Sequence, residues 1–475
     1  MLEQWDEKQK TPPVPAPATS RAWRIKLEPL MRNGLILAMF AAVWLPSLGT
    51  IAGLTLRISQ VGLVIILIYL FTAPHVPGIN GWAVPYTPSL IIVWSAFLFW
   101  TLLNIALGTL QLHGDQSPVG SVGRVLLFGS NLLIYGAAYL MVVRFRQLEP
   151  ILRMVAISGA LMGILSLTYF GLLQIGITLP EELAGITLEP VFRAGVVKAE
   201  YVTRLAGGPN KATFLAGTAL ICLIMALNKV LPVRSRIIYI ICGACALMGS
   251  ALGIARSALL ALAVGIFIWL VFLVQRGRLV TVISSVLISV MVVSLSSGFI
   301  VGILGSDNQV VAAFLARAGQ FVHTEEYFSG TAGNRLDLWG ALIDDVLTNP
   351  LWGNGMDGYQ RHYPEGTNTT ENFLLEVLHA TGLWGFLPMM LVVSLVIWRG
   401  WRTCHRPTLI HSERMMLLAL LCAYVGILAG SLTNSLWGGG LFWMFLGMLV
   451  GATHVFSRQA TQNASLSTTR KIAQT

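Results

Sequence analysis

Charge is scarce in this chain. Asp, Glu, Lys and Arg make up 11% of its 475 residues, where a water-soluble domain carries about 25%. So long a chain with so little charge cannot cover a water-facing surface, which excludes a string of soluble domains. Acidic residues are the scarcer kind, 21 against 31 Lys and Arg, for a net charge of +10. In a soluble protein such a balance would raise nucleic-acid binding. Here the basic residues sit in short connectors between apolar runs, which is a topology signal rather than a stripe matched to a phosphate backbone, so no nucleic acid is expected as a partner. Cysteine is sparse too, five in all. Cys242 and Cys245 form a Cys-x-x-Cys inside the apolar run IIYIICGACALMG. It lacks the polar surroundings of a zinc or redox pair and reads as helix packing. An apolar core before a small-residue cleavage site is also missing from the polar, Pro-rich start MLEQWDEKQKTPPVPAPATSRAWRIKLEPLMRN. That start reads as a flexible cytoplasmic tail leading into a basic membrane-surface segment, not as a secretory signal.

What the chain has in abundance is apolar sequence. Hydrophobic residues reach 55% and mean hydropathy is +0.72. Apolar runs of about 18 to 25 residues are candidate membrane spans. Twelve are expected, at 35–53, 59–73, 89–111, 125–143, 154–177, 210–228, 237–254, 257–274, 280–303, 373–397, 415–433 and 439–456. The expected fold is therefore an all-α integral membrane protein of about 12 transmembrane helices. The expected organisation is a cytoplasmic tail 1–33, a transmembrane bundle 34–303, a large loop 304–372, three C-terminal helices in 373–456 and a cytoplasmic tail 457–475. With the N-terminus inside, 21 Lys and Arg fall on the inner side and 10 on the outer, as the positive-inside rule prefers. Both termini are then cytoplasmic, and the long loops 178–209 and 304–372 face outward. Loops of that length usually do work.

The outer cations need a reason, because topology disfavours them there. They include Arg204, Lys211, Arg256 and Arg335. A pyrophosphate would supply one, since each charge-assisted bond to a phosphate oxygen is worth roughly 1.5–3 kcal/mol. Arg256 stands in the apolar segment MGSALGIARSALLALAVG, where an unpaired Arg costs at least a few kcal/mol. It reads as an anion site or as an arginine reaching to the outer headgroups. Arg335 opens a helix predicted to end by Asn349, before Pro350, with Leu336, Trp339, Leu342, Ile343, Val346 and Leu347 on one apolar stripe. This helix is expected to lie along the membrane surface, with Arg335 binding an anion or pairing with Asp337 or Asp344. The stretch GNGMDG, Gly353 to Gly358, fits Gly-x-Gly-x-x-Gly. No strand precedes it, so a dinucleotide site is rejected and the glycines are expected to shape a turn. Asn372, Glu376 and His379 form one polar stripe at the start of the following helix, readable as a buried hydrogen-bond network or as a substrate contact.

Three blocks together resemble the O-antigen ligase and polymerase superfamily of membrane glycosyltransferases. They are ARSALLALAVG, GNRLDLWGALIDDVLTNPLWGNGMDGY and ENFLLEVLHATGLWG, with RLAGGPNKATFLAG from Arg204 as a fainter fourth. The resemblance implies an undecaprenyl-diphosphate-linked glycan as donor, a periplasmic active site in a bacterial inner membrane, and no metal or cofactor. It implies Arg256 and Arg335 as pyrophosphate binders, with Arg204 or Lys211 assisting. Flippase and chain-length regulator proteins, beside the lipid bilayer itself, are the partners expected of such an enzyme. The ligases carry His immediately before the Asn of the third block; here that position is Glu371, which looks more like the polysaccharide polymerases. Glu371 is thus the expected base of a polymerase of lipid-linked repeat units, or a plain helix-terminal charge. The alternatives are a ligase moving finished glycan to lipid A core or protein, and a transporter of such lipids. A transporter would place charge at mid-span, whereas these spans are nearly charge-free there.

Overall fold

The computed structural model describes residues 47–51, 54–57, 95–103, 118–145, 148–174, 182–183, 186–187, 209–253, 255–277, 331–355, 372–433 and 440–474. The predicted spans 59–73 and 280–303, the tail 1–33 and most of the two long loops lie outside the described residues.

Nine long helices carry the fold among them: α1 Pro118–Phe145, α2 Leu148–Gln174, α3 Pro209–Ala226, α4 Val233–Leu252, α5 Arg256–Gln275, α6 Thr331–Thr348, α7 Phe373–Cys404, α8 His411–Gly430 and α9 Gly440–Gln474. A shorter helical segment covers 95–103. Six of the nine are long and apolar enough to cross a membrane, and 128–143 and 211–226 are shorter apolar helices. They fall on eight of the predicted spans. α9 runs on to Gln474, well past the predicted end at 456.

One expectation is corrected. The first predicted span, 35–53, ends not in helix but in the strand β1 Ser47–Ile51. β1 pairs antiparallel with β2 Leu54–Arg57 and with β4 Ile186–Thr187, and β4 pairs with β3 Glu182–Leu183. The sheet order is β2-β1-β4-β3. The local sequence GTIAGLTLR explains the switch, since β-branched Thr and Ile flanked by Gly favour strand over helix. The described chain is thus α-helical with one small sheet added.

The helices pack through small residues. α3 lies against α2, α4, α5 and α8, and α1 packs along α9. A Cβ on Gly426 of α8 would run into the Ala261 carbonyl of α5, and one on Gly447 of α9 into the Tyr135 carbonyl of α1. Helices in lipid lack a hydrophobic drive toward one another, so this close backbone approach supplies the van der Waals contact that holds them. Cys242 and Cys245 lie on α4 as free thiols, and Gly243 between them packs against Cys222 of α3. The pair serves helix packing.

The basic connectors gather at one end of the bundle. Arg153 donates to Glu149 and to Ser235 Oγ. Arg236 donates to the Ala226 carbonyl, Arg276 to that of Cys404 and Arg406 to that of Ser457. The Ala226 and Cys404 carbonyls close α3 and α7, at helix C-terminal ends where cations are favoured. The opposite end carries the starts of α3, α5 and α7 and holds the candidate site.

Candidate functional site

α3 and α5 begin side by side. Thr213 Oγ1 donates to Ser257 Oγ at 2.8 Å, two residues after Lys211 and one after Arg256. The Ser250 hydroxyl of α4 donates to the Ala212 carbonyl at 2.9 Å. Gly430 closes α8 against both helices, since a Cβ there would meet the Ser257 carbonyl and Thr213 Cγ2. The short 3-10 helix Ser431–Thr433 then touches α5 on one side and α7 on the other. The starts of α3, α5 and α7 are thereby held in one layer.

α6 runs alongside the first turns of α7 in the same chain direction. Leu338 and Leu342 are buried, and Leu375 packs against them. Further along, Asp345 Oδ2 lies 3.0 Å from His379 Nε2. Beyond the end of α6 the Pro350 carbonyl accepts from Leu383 N. Arg335 stands about one turn before Leu338, toward the end where α7 begins. The helix starts at Thr331, four residues before the predicted start. Its apolar stripe is divided: Leu342 and Val346 are buried, as is Leu338 beside them, while Ile343 and Leu347 are exposed.

α7 is broken at Gly382 (φ 61°, ψ −170°), and the turn after α6 fills the break. A broken helix leaves carbonyls and amides without their usual partners. Here Asn354 N donates to the His379 carbonyl at 2.7 Å and Gly355 N to that of Ala380 at 3.1 Å. The indole Nε1 of Trp100 donates to the Thr381 carbonyl at 2.6 Å. Leu383 N and Trp384 N donate to the Pro350 and Leu351 carbonyls at 2.9 and 3.5 Å. Gly353 (φ 75°) and Gly355 (φ 81°) take left-handed conformations that glycine alone adopts without strain. Gly353 and Gly382 meet backbone to backbone, with no room for a Cβ on either. The expectation that the Gly-x-Gly shapes a turn is met at these two positions; Gly358 lies outside the described residues.

The predicted site residues divide as follows. Asn372 caps α7, its Oδ1 accepting from Leu375 N at 3.1 Å. Glu376 is in the first turn of α7. His379, 1% exposed, turns to Asp345. Lys211 is partly buried on the first turn of α3. Arg256 is the first residue of α5, and Arg335 is the fifth of α6; of both only the backbone is described. Glu371 and Arg204 lie outside the described residues. Sequence reasoning missed Asp345, Asn354 and Trp100 as structural partners of the His379 region. The Asn-Pro and Gly-x-Gly signals mark a turn but not what the turn docks on.

Electrostatics set this end apart. α3, α5 and α6 have no acidic residue in their first turns, where acids are preferred against the helix dipole. Ala255, which caps α5, offers no side-chain bond. Cations at helix starts work against the dipole, yet cation and free amides together favour a shared anion.

The fold and site define a multi-pass helical membrane protein with a cation-bearing cluster of helix starts at one end. Residues 237–390, less than half of the chain, match the family model described as O-Antigen ligase (Wzy_C). The match supports the O-antigen ligase and polymerase superfamily, and with it a membrane enzyme of ligase or polymerase type. It spans α4, α5, α6, the turn at Gly353 and the first half of α7, so it includes Arg256, Arg335, Glu371, Asn372, Glu376 and His379 but not Lys211 or Arg204. No curated protein matches the chain.

Proposed function

We propose that this protein is a membrane glycosyltransferase that polymerises undecaprenyl-diphosphate-linked oligosaccharide repeat units, on the periplasmic face of a bacterial inner membrane. The observation that carries the reading is the gathering of the starts of α3 and α5 in one layer with that of α7, beside α6, with Lys211, Arg256 and Arg335 on them and no first-turn acid on α3, α5 or α6. A diphosphate is the anion such a layer suits. In the reaction an acceptor hydroxyl attacks the anomeric carbon of the donor. The new glycosidic C–O bond forms as the anomeric C–O bond to phosphate breaks. The electron pair leaves with undecaprenyl diphosphate, and the hydroxyl proton passes to the Glu371 carboxylate. Arg256 and Arg335 stabilise the charge growing on the diphosphate, with Lys211 and Arg204 helping to hold it; no metal or cofactor takes part.

Ligation to lipid A core or protein is the second reading, favoured by the match to the O-antigen ligase family model. Glu371, in place of the His carried by the ligases, favours polymerisation. Purified protein given undecaprenyl-diphosphate-linked repeat units, without metal or nucleotide, separates the two. A ladder of growing glycans supports the polymerase. Transfer only after lipid A core is added makes it a ligase. Neither, with authentic repeat units, removes both.

A further inference from the structure

α3 and α5 leave the candidate site in the same direction. Thr213 faces Ser257 at their starts, and two turns on, a Cβ at Gly265 would meet the Leu220 side chain. What packs between the starts is small: Ala212, Ala216, Ala255, Ala258 and Ala261 form a buried cluster of their own. Alanine faces let backbones come close, but they are smooth, and their shape alone does not stop one helix from sliding along the other. Directional contacts set the register, and three act at this end. Thr213 Oγ1 donates to Ser257 Oγ at 2.8 Å, with Thr213 0% and Ser257 3% exposed. The buried Ser250 hydroxyl ties α4 to the Ala212 carbonyl. Gly430 of α8 closes over the pair, since a Cβ there would meet the Ser257 carbonyl and Thr213 Cγ2. Hydroxyls shut away from water in this way are held to their partners, because an unmade hydrogen bond there is costly.

We propose that Thr213 and Ser257 are positioning residues that set the register of α3 against α5, so that Lys211 and Arg256 engage one diphosphate together. The inference rests on the diphosphate-donor reading given above. Lys211 stands two residues before Thr213, and Arg256 stands one before Ser257. A hydrogen bond between the two hydroxyls therefore fixes the two cation-bearing turns directly. A slip of one residue along a helix is ~1.5 Å, enough to take a charge-assisted contact of about 2.8 Å out of range. A diphosphate carries an anionic group for each cation and rewards both at once. A monophosphate can be held by one of them and is indifferent to their spacing. The register of the two helices thus decides affinity for the diphosphate and leaves affinity for a monophosphate nearly untouched.

The test uses the full chain in detergent micelles, with undecaprenyl diphosphate and undecaprenyl phosphate as binding probes. Thr213→Val keeps the shape and removes the donor; Ser257→Ala removes the acceptor. Each is expected to weaken diphosphate binding about tenfold and monophosphate binding less than about twofold. Melting temperatures should move by less than about 3 °C, because interhelical hydrogen bonds in membrane proteins are weak. The double variant should bind no worse than either single one, since both remove the same contact. Equal losses for the two probes, effects that multiply, or unchanged diphosphate binding overturn the proposal. A second variant tests the same point within one polypeptide. Cys245, the only one of the five free cysteines that is not buried, is changed to Ala, and Thr213→Cys is combined with Ser257→Cys. Two Oγ atoms 2.8 Å apart mark a pair close enough for a disulfide. The oxidised protein should bind the diphosphate as the parent does, and the same protein reduced should bind it about tenfold more weakly. No disulfide, or equal binding in the two states, also overturns the proposal. A chain that shows this register dependence yet neither elongates nor ligates glycan keeps the positioning pair and loses the glycosyltransferase reading. If the parent binds no undecaprenyl diphosphate, the donor reading and this inference fall together.

Discussion

The imidazole of His379, buried in α7, meets the carboxylate of Asp345 on α6 with Nε2 and Oδ2 3.0 Å apart. This contact joins the helix that bears Arg335 to the helix that follows Glu371. A charge-assisted hydrogen bond contributes roughly 1.5–3 kcal/mol, less where one partner is part-exposed as Asp345 is. Asp345→Asn is expected to lower unfolding stability by about 1–2 kcal/mol, and His379→Asn by more because its site is fully buried. The double variant should show a coupling above about 0.5 kcal/mol in detergent unfolding. Simple additivity would mean that the pair does not join the helices.

Gly382→Ala tests the broken helix. The positive φ and the contact with the Leu351 carbonyl both reject a Cβ, so the variant is expected to lose about 2 kcal/mol or more. Gly340→Ala on α6 is the control. Nothing lies within 4 Å of its would-be Cβ, and a helical Gly costs about 1 kcal/mol against Ala, so this variant should be slightly more stable. Melting temperatures that move together in the two variants would remove the strain argument.

Trp100→Phe keeps an aromatic ring but loses the donor to the Thr381 carbonyl. It is expected to cost about 1–3 kcal/mol, the penalty of a buried acceptor left without its partner. Trp352→Phe keeps a ring beside Trp100 at a position that is half exposed, and should cost less. Thermal unfolding of the two variants, side by side, checks the order.

Most spans were legible because membrane helices announce themselves by length and apolarity. α2 to α5 and α7 to α9 fall where apolar runs place them. The strand Ser47–Ile51 was not legible, since GTIAGLTLR is as apolar as a helix end and only its β-branched residues hint at pairing. At the site, Asn372 and His379 were visible as one polar stripe because helix spacing brings i and i+7 together. Asp345 was not, because it lies 34 residues from His379 and no periodicity links them. The same holds for Trp100, 281 residues from its partner Thr381. The Gly-x-Gly betrayed a turn through its backbone needs, while the helix break it fills is marked in sequence only by Gly382.

Glu371 and Glu376 are separated by activity rather than by stability. If Glu371 takes the acceptor proton, Glu371→Gln should slow glycan elongation by roughly 10²–10⁴, the usual worth of a general base. Glu376→Gln, one turn further into α7, should slow it less. Rates measured on lipid-linked repeat units check this, and the reverse order would move the base to Glu376.

Lys211, Arg256 and Arg335 should act on the donor diphosphate rather than on the fold. Each charge-assisted bond to phosphate is worth roughly 1.5–3 kcal/mol, or about tenfold to more than a hundredfold in rate or affinity. Arg335→Ala is expected to abolish elongation in cells at normal protein levels, and Arg335→Lys to recover part of it, since Lys keeps the charge but loses the planar fork. Lys211→Met should mainly raise the donor concentration needed for half-maximal rate, because a contact made equally in ground and transition states changes binding and not turnover. Arg256→Ala should lower turnover as well, if α5 presents its cation to the leaving oxygen. Unchanged chain lengths with Arg335→Ala would sink the anion site. A loss of folded protein in all three variants would instead assign these cations to structure.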